Sequence, residues 1–172
     1  LGGLVRHLLD EVPSDWPEAL CAWVERGPMP PLDVLAEART CVAGSDDWFA
    51  AVYENVVAGP NRRRLGTFFT PPNVVQLMLE RASAVLPEPT TIVDPGAGVG
   101  AFSLAAAMRW PDAKVQAVDV NVVTLGLLAA RLKAEGQSGR VELVLEDFLA
   151  WVQEAGRVGG GRLFLGNPPY TR

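Results

Sequence analysis

Asp94, Asp119, Asp147 and Asn167 stand at or just beyond the ends of expected strands, and each is of a type that can hold or orient a ligand. The richest segment is Asp94-Pro95-Gly96-Ala97-Gly98-Val99-Gly100, which follows the β-branched run Thr90-Thr91-Ile92-Val93 and precedes a helix-forming stretch. Glycines at alternate positions let the backbone turn sharply and bring its N–H groups close to a ligand at the carboxyl end of a first strand. A plain tight turn between strand and helix would use the same glycines, so they do not decide the matter alone. Asp119 closes a second strand, where a carboxylate can accept both hydrogens of a ribose diol. Two features disfavour a dinucleotide. The glycines do not follow GxGxxG, and Asp94 puts negative charge where a pyrophosphate would be repelled. A sulfonium or ammonium group would be attracted by the same acid.

The elements that must position these residues are legible in the apolar pattern. From residue 91 onward short β-branched runs alternate with helical stretches: strands at Thr91 to Val93, Val115 to Val118, Val141 to Leu145 and Leu163 to Leu165, and helices at Ala101 to Arg109, Val122 to Glu135 and Phe148 to Glu154. Strands separated by helices imply βαβ units and a parallel sheet, hence an α/β fold. Ahead of them Thr70-Pro71-Pro72 predicts a helix start, with Thr70 as cap and proline in the first turn. Residues 1–60 read as helical, with runs at Trp16 to Arg26, capped by Ser14 or Asp15, then at Leu32 to Val42, and a further helix from a Ser45 cap through Trp48, Phe49, Val52, Val56 and Val57. Their aromatic residues recur at helical spacing and are expected in the core, and His7 is expected to be structural.

At 172 residues and 49% hydrophobic, the chain fits one core-forming unit and not a disordered, collagen-like or disulfide-stapled one. No run approaches the roughly 20 apolar residues of a membrane span, and the start lacks a signal-peptide layout, so a reducing, cytoplasmic setting is expected. Cys21 and Cys41 lack CxxC spacing and read as core thiols, with no metal site. A net charge of −5 argues against binding nucleic acid by bulk charge. It leaves room for a local contact at Arg62-Arg63-Arg64.

The motifs resemble those of class I S-adenosylmethionine-dependent methyltransferases. Asp94-Pro95-Gly96-Ala97-Gly98-Val99-Gly100-Ala101-Phe102 is similar to motif I, Asp119 and Asn121 to motif II, Glu146-Asp147-Phe148-Leu149 to motif III, and Gly166-Asn167-Pro168-Pro169-Tyr170 to motif IV of the amino-methylating branch. Gly66-Thr67-Phe68-Phe69-Thr70-Pro71-Pro72 resembles motif X of N6-adenine DNA methyltransferases, placed before motif I as in their gamma arrangement. The resemblance covers residues 62–172. It implies a Rossmann-like parallel sheet, truncated here, with an α-helical N-terminal extension: a helical region over 1–60 and an S-adenosylmethionine-binding core over 61–172, incomplete at its C-terminus.

By the same resemblance, Asp94, Gly96 and Gly98 line the methionine moiety, with Phe69 and Thr70 closing it from the other side. Asp119 binds the ribose. Asp147 accepts from the cofactor's adenine amino group, and Phe148 packs on that ring; Phe148 as core and Asp147 as a helix cap is the competing reading. Asn167, Pro168, Pro169 and Tyr170 form the catalytic loop. An exocyclic amine on a purine is a poor nucleophile because its lone pair is delocalised. The Asn167 side-chain oxygen and the Pro168 carbonyl can accept its two hydrogens, draw the nitrogen toward tetrahedral geometry and aim the lone pair. Tyr170 supplies a stacking face worth about 1–3 kcal/mol against the few kcal/mol of extracting a base. The implied activity is N6-adenine methylation of DNA in a restriction-modification setting, with DNA engaged through a recognition region outside this chain. RNA, a protein glutamine amide, or a non-catalytic cofactor-binding role are the alternatives. A sheet that stops at its fourth strand also implies self-association and an isolated chain that is inactive.

Overall fold

Apolar β-branched runs assemble into one parallel sheet whose carboxyl edge gathers the polar residues singled out above. The computed structural model describes residues 1–9, 11–42, 48–57, 69–154 and 161–168. Strands β1 (Thr91–Pro95), β2 (Lys114–Asp119), β3 (Val141–Leu145) and β4 (Arg162–Phe164) are ordered β3-β2-β1-β4, every pairing parallel. The chain steps outward from β1 to β2 to β3 and then returns to the other side of β1. That reversal leaves a crevice between the carboxyl ends of β1 and β4, where open α/β sheets take their ligands. The expected α/β class, parallel sheet and four strands are therefore present. β1 runs two residues beyond the expected Val93: Asp94 and Pro95 pair with Ala117 and Val118, which makes Asp94 a strand residue and not part of the turn.

Eight helices flank the sheet among the described residues: α1 (Gly2–Leu8), α2 (Glu18–Arg26), α3 (Leu32–Val42), α4 (Trp48–Val56), α5 (Pro72–Val85), α6 (Ala101–Arg109), α7 (Val122–Ala134) and α8 (Phe148–Glu154). None is long and apolar enough to cross a membrane. Two expected caps are not used. α2 starts after Pro17, whose extended ψ of 131° sets the entry, so Ser14 and Asp15 lie too far upstream. α5 starts after Pro71 with no side-chain cap bond, and the Thr70 hydroxyl is engaged elsewhere. The Ser45 cap lies outside the described residues. Cys21 and Cys41 are free thiols, half-buried and not in the core as expected. His7 is structural: its Nε2 accepts from Arg39 Nε at 2.9 Å, tying α1 to α3.

Three of the N-terminal helices, α1, α2 and α4, share the core of the sheet, while α3 packs on α1 in a separate cluster of Leu4, Leu35 and Ala38. Val5, Leu20, Val24, Phe49 and Tyr53 belong to the same apolar cluster as Ile92, Val115, Leu125 and Leu143. The reason lies in α7, eight of whose 13 residues are buried, Thr124 to Ala130 and Leu132. A helix apolar on all sides needs cover on both faces. One face lies on β2 and β3, and α1, α2 and α4 cover the other. Gly126 marks the closest approach, because a Cβ there would enter the ring of Trp23. Gly126→Val should destabilise the fold by about 1–3 kcal/mol through overpacking, read as a lower urea midpoint. The penalty should shrink in a Trp23→Ala background; an equal loss in both would show that the contact is not its cause.

Candidate functional site

The turn after β1 is tied down from beneath. The N–H groups of Gly96 and Ala97 both donate to Val118 O, at 2.9 and 3.1 Å, and that of Gly100 to Ala97 O at 2.9 Å. Gly98 N–H donates to Asp119 Oδ2 at 2.7 Å. The sequence reading brought these N–H groups toward a ligand; instead the protein itself consumes four of them. A turn with its donors spent in this way is poorly equipped to cradle a pyrophosphate. Gly98 has φ +57°, a left-handed conformation that favours glycine, and a Cβ there would meet nothing nearer than Gly96 O at 4.0 Å. The turn therefore presents Gly96 and Gly98 toward accessible space, while Ala97 and Val99 point into the core.

Two acids sit on adjacent strand ends. Asp94 is 1% exposed, and its Oδ2 accepts from Ser103 N–H at 2.9 Å and Ser103 Oγ at 2.6 Å. Burial pushes its carboxyl up to about 7; the Ser103 bonds oppose this and the neighbouring charge of Asp119 adds to it. Asp119 Oδ1 accepts from Asn121 N–H at 2.8 Å, so both of its oxygens are engaged by backbone donors. Burial raises its carboxyl above the ordinary range, with the bonds from Asn121 and Gly98 working against the shift. Each carboxylate oxygen can accept more than one hydrogen, which leaves Asp119 capacity for a diol. Among the described residues neither acid forms an ion pair. Among the described residues, a buried and a half-buried carboxylate thus stand on adjacent strands with no cation beside them, and a ligand carrying positive charge complements them.

Among the described residues, the other expected ones fall on the same edge. Asn167, two residues beyond the buried Leu165, donates from Nδ2 to Thr70 Oγ1 at 3.2 Å, joining segments 97 residues apart. That bond steadies the Asn167 side chain against the Thr70 segment. Phe69 meets the Tyr53 ring edge-on at 5.9 Å. Gly166 lies against β1, since a Cβ there would come within 2.6 Å of Asp94 Oδ1. Asp147 Oδ1 accepts from Leu149 N–H at 3.0 Å and Ala150 N–H at 3.1 Å, so it caps α8 as the competing reading expected. Phe148 is half-buried, stacked on Trp151 at 6.3 Å and edge-on to Phe164 at 6.0 Å. Pro168 is exposed. Pro169, Tyr170, Arg62 to Arg64 and Gly66 to Phe68 lie outside the described residues.

Two contributors were missed. Ser103 is a lone hydroxyl among Ala, Phe and Leu on the buried face of α6, an anomaly visible in the sequence. Tyr53 is completely buried on α4, and its hydroxyl accepts from Asn121 Nδ2 at 3.0 Å. Its only signal is a polar-tipped aromatic four residues after Phe49 on one helical face.

Residues 73–172 match the methyltransferase small domain family. The chain belongs to that family. Its cofactor is S-adenosylmethionine, and the two adjacent acids and the donor-poor turn fit a ligand that carries a sulfonium and an ammonium. Over 114 residues, 66% of its length, this methyltransferase chain is 36% identical to the type II methyltransferase M.XamI of Xanthomonas campestris, of which that stretch is 21%. It is 37% identical to the release factor glutamine methyltransferase of Chlorobaculum tepidum over 46% of its own length and 27% of that protein. The chain thus spans about a fifth to a quarter of these relatives. The fold is shared with a Klebsiella pneumoniae protein assigned as an O-methyltransferase, at a TM-score of 0.52 and 17% identity over 77% of this chain and 58% of that one.

Proposed function

We propose that the protein carrying this domain transfers a methyl group to the N6 amino group of adenine in DNA, within a restriction-modification system. The observation that carries this reading is the bond from Asn167 to Thr70. It brings the Phe69-Thr70-Pro71-Pro72 segment, the part that resembles the DNA adenine branch, onto the candidate amine-binding loop. Similarity to the type II methyltransferases M.XamI and M.CvrRI supports a DNA acceptor. Asp119 holds the cofactor's ribose between Gly98 and Asn121, while Asp94 supplies negative charge from beneath the turn. Asp147 keeps one oxygen on the α8 cap and turns the other to the adenine amino group. When bound, S-adenosylmethionine supplies an activated methyl group. The chain's own part is to present the nucleophile: Asn167 Oδ1 and the Pro168 carbonyl accept the two amine hydrogens and localise the nitrogen lone pair, and Tyr170 stacks on the target ring.

A second reading is a protein glutamine amide as acceptor, a planar amine that would meet the same two oxygens. Identities of 35–38% to release factor glutamine methyltransferases favour it.

Methyl transfer from labelled cofactor to an adenine-containing duplex and to a glutamine-containing peptide separates the two readings, with the duplex labelled and the peptide not. The opposite pattern would reassign the substrate. In calorimetric titration Asp119→Ala should bind S-adenosylhomocysteine at least about tenfold more weakly, as hydrogen bonds to a charged group contribute roughly 1.5–3 kcal/mol. Unchanged affinity would remove Asp119 from the ribose site.

A further inference from the structure

We propose that Tyr53, carried by the N-terminal helical layer, is a positioning residue that fixes the ribose-binding acid Asp119 and the Phe69-Thr70 wall relative to each other. This rests on the reading of the crevice as the S-adenosylmethionine pocket with Asp119 on the ribose. Nothing in residues 1–60 resembles a methyltransferase motif, yet α4 delivers one side chain to both walls of the crevice.

The hydroxyl end acts on the Asp119 side. A buried tyrosine hydroxyl needs a partner, and here it accepts from Asn121 Nδ2 across a separation of 68 residues. Asn121 is the hinge of the loop between β2 and α7. Its N–H donates to Asp119 Oδ1 at 2.8 Å, its Oδ1 accepts from Val123 N–H at 3.0 Å as the cap of α7, and its carbonyl accepts from Thr124 Oγ1 at 2.9 Å and Leu125 N–H at 3.1 Å. The Tyr53 hydroxyl holds the amide nitrogen, while Val123 N–H, which can only donate, takes Oδ1, and the two together set the side-chain orientation in which Oδ1 faces the helix N-terminus. With both ends of the side chain engaged, Asn121 holds its own N–H on Asp119. That bond fixes one carboxylate oxygen while Gly98 N–H fixes the other.

The ring acts on the opposite wall. Tyr53 and Phe69 meet at 90° with centroids 5.9 Å apart, an edge-to-face contact that sets where Phe69 stands. The next residue, Thr70, accepts from Asn167. One side chain therefore touches the loop that aims the ribose acid and the segment that steadies the amine-binding asparagine. α4 can do this because it packs on α7 through the same core that buries Phe49.

Tyr53→Phe keeps the ring and its contact with Phe69 and removes only the oxygen, so the fold is retained; a thermal melt without ligand checks this. Calorimetric titration of the 172-residue chain with S-adenosylhomocysteine and with its 2′,3′-dideoxy analogue reads the effect. Loss of one buried hydrogen bond that aligns Asp119 should weaken S-adenosylhomocysteine about fivefold, while the analogue, which lacks the diol, binds both proteins alike. Equal weakening of the two ligands would mean that Tyr53 only stiffens the fold, and no change in either would mean that Asn121 needs no help; each result overturns the proposal while leaving the pocket assignment intact. Wild-type chain that binds both ligands equally would instead remove the diol from Asp119, and the role of Tyr53 with it.

Discussion

Asn167→Ala is expected to lower methyl transfer by on the order of 10²–10³-fold, the range seen when a preorganised polar group facing the reacting atoms is removed, while S-adenosylhomocysteine affinity stays within about twofold. On the proposed reading the two effects separate, because Asn167 serves the substrate amine whereas the β1 turn and Asp119 serve the cofactor. Thr70→Val tests the support beneath it. Without the Oγ1 that accepts from Nδ2, the amide can turn over and present its NH₂ to the amine, which repels the hydrogens it should accept. Transfer should fall about tenfold, roughly one hydrogen bond's worth of orientation, and most of the loss should lie in kcat and not in KM. Single-turnover labelling of an adenine-containing duplex by both variants provides the measurement. Full activity in Asn167→Ala would end the catalytic role of this loop. Full activity in Thr70→Val alone would leave that role standing and make the Thr70 bond incidental.

What the sequence conveyed, and what it withheld, divides by range. β3 and the helices at Ala101–Arg109, Leu32–Val42 and Phe148–Glu154 fall where local periodicity puts them, since strand and helix signals are set by neighbours a few residues away. The parallel sheet follows from the same alternation. Thr70 misled because cap chemistry is also local, whereas the actual partner of its hydroxyl is Asn167, 97 residues on. The glycine turn misled in a subtler way. Alternate glycines do signal a sharp turn, but which acceptors take the freed N–H groups depends on Val118 and Asp119 of the next strand. Asp94 reads as a loop acid until the pairing of β1 with β2 extends through it and turns its carboxylate inward. Tyr53 lay furthest from view, because its role depends on α4 packing against a helix whose burial on both faces is itself a tertiary fact.

The buried carboxyl of Asp94 should make both folding and cofactor binding depend on pH, in opposite directions. Its ordinary value is 3.8 and the fold lifts it to about 7. Between these values the unfolded chain has released the proton that the folded chain still holds, so stability falls as pH rises from about 4 to 7 and levels off above. On the proposed reading, bound S-adenosylmethionine reverses the preference, since its positive charge favours the ionised acid. Affinity should therefore climb with pH, by up to about tenfold per unit below 7, and binding near pH 6.5 should release a proton. Asp94→Asn preserves the shape and an acceptor for Ser103 but cannot ionise. Without ligand at pH 8 it should be more stable than the wild type, by a few kcal/mol at most given that an unpaired buried charge is relieved. It should bind the cofactor more weakly at pH 8 and almost as well at pH 5.5. Asp119, held up by the same kind of burial, keeps part of the slope in the variant, so the quantity to follow is the ratio of the two affinities across pH, in which the cofactor's own titration cancels. Calorimetry in buffers of different ionisation enthalpy counts the released proton, and urea unfolding from pH 5 to 8 reads the stability arm. A constant affinity ratio would mean that Asp94 does not change its protonation when the cofactor binds.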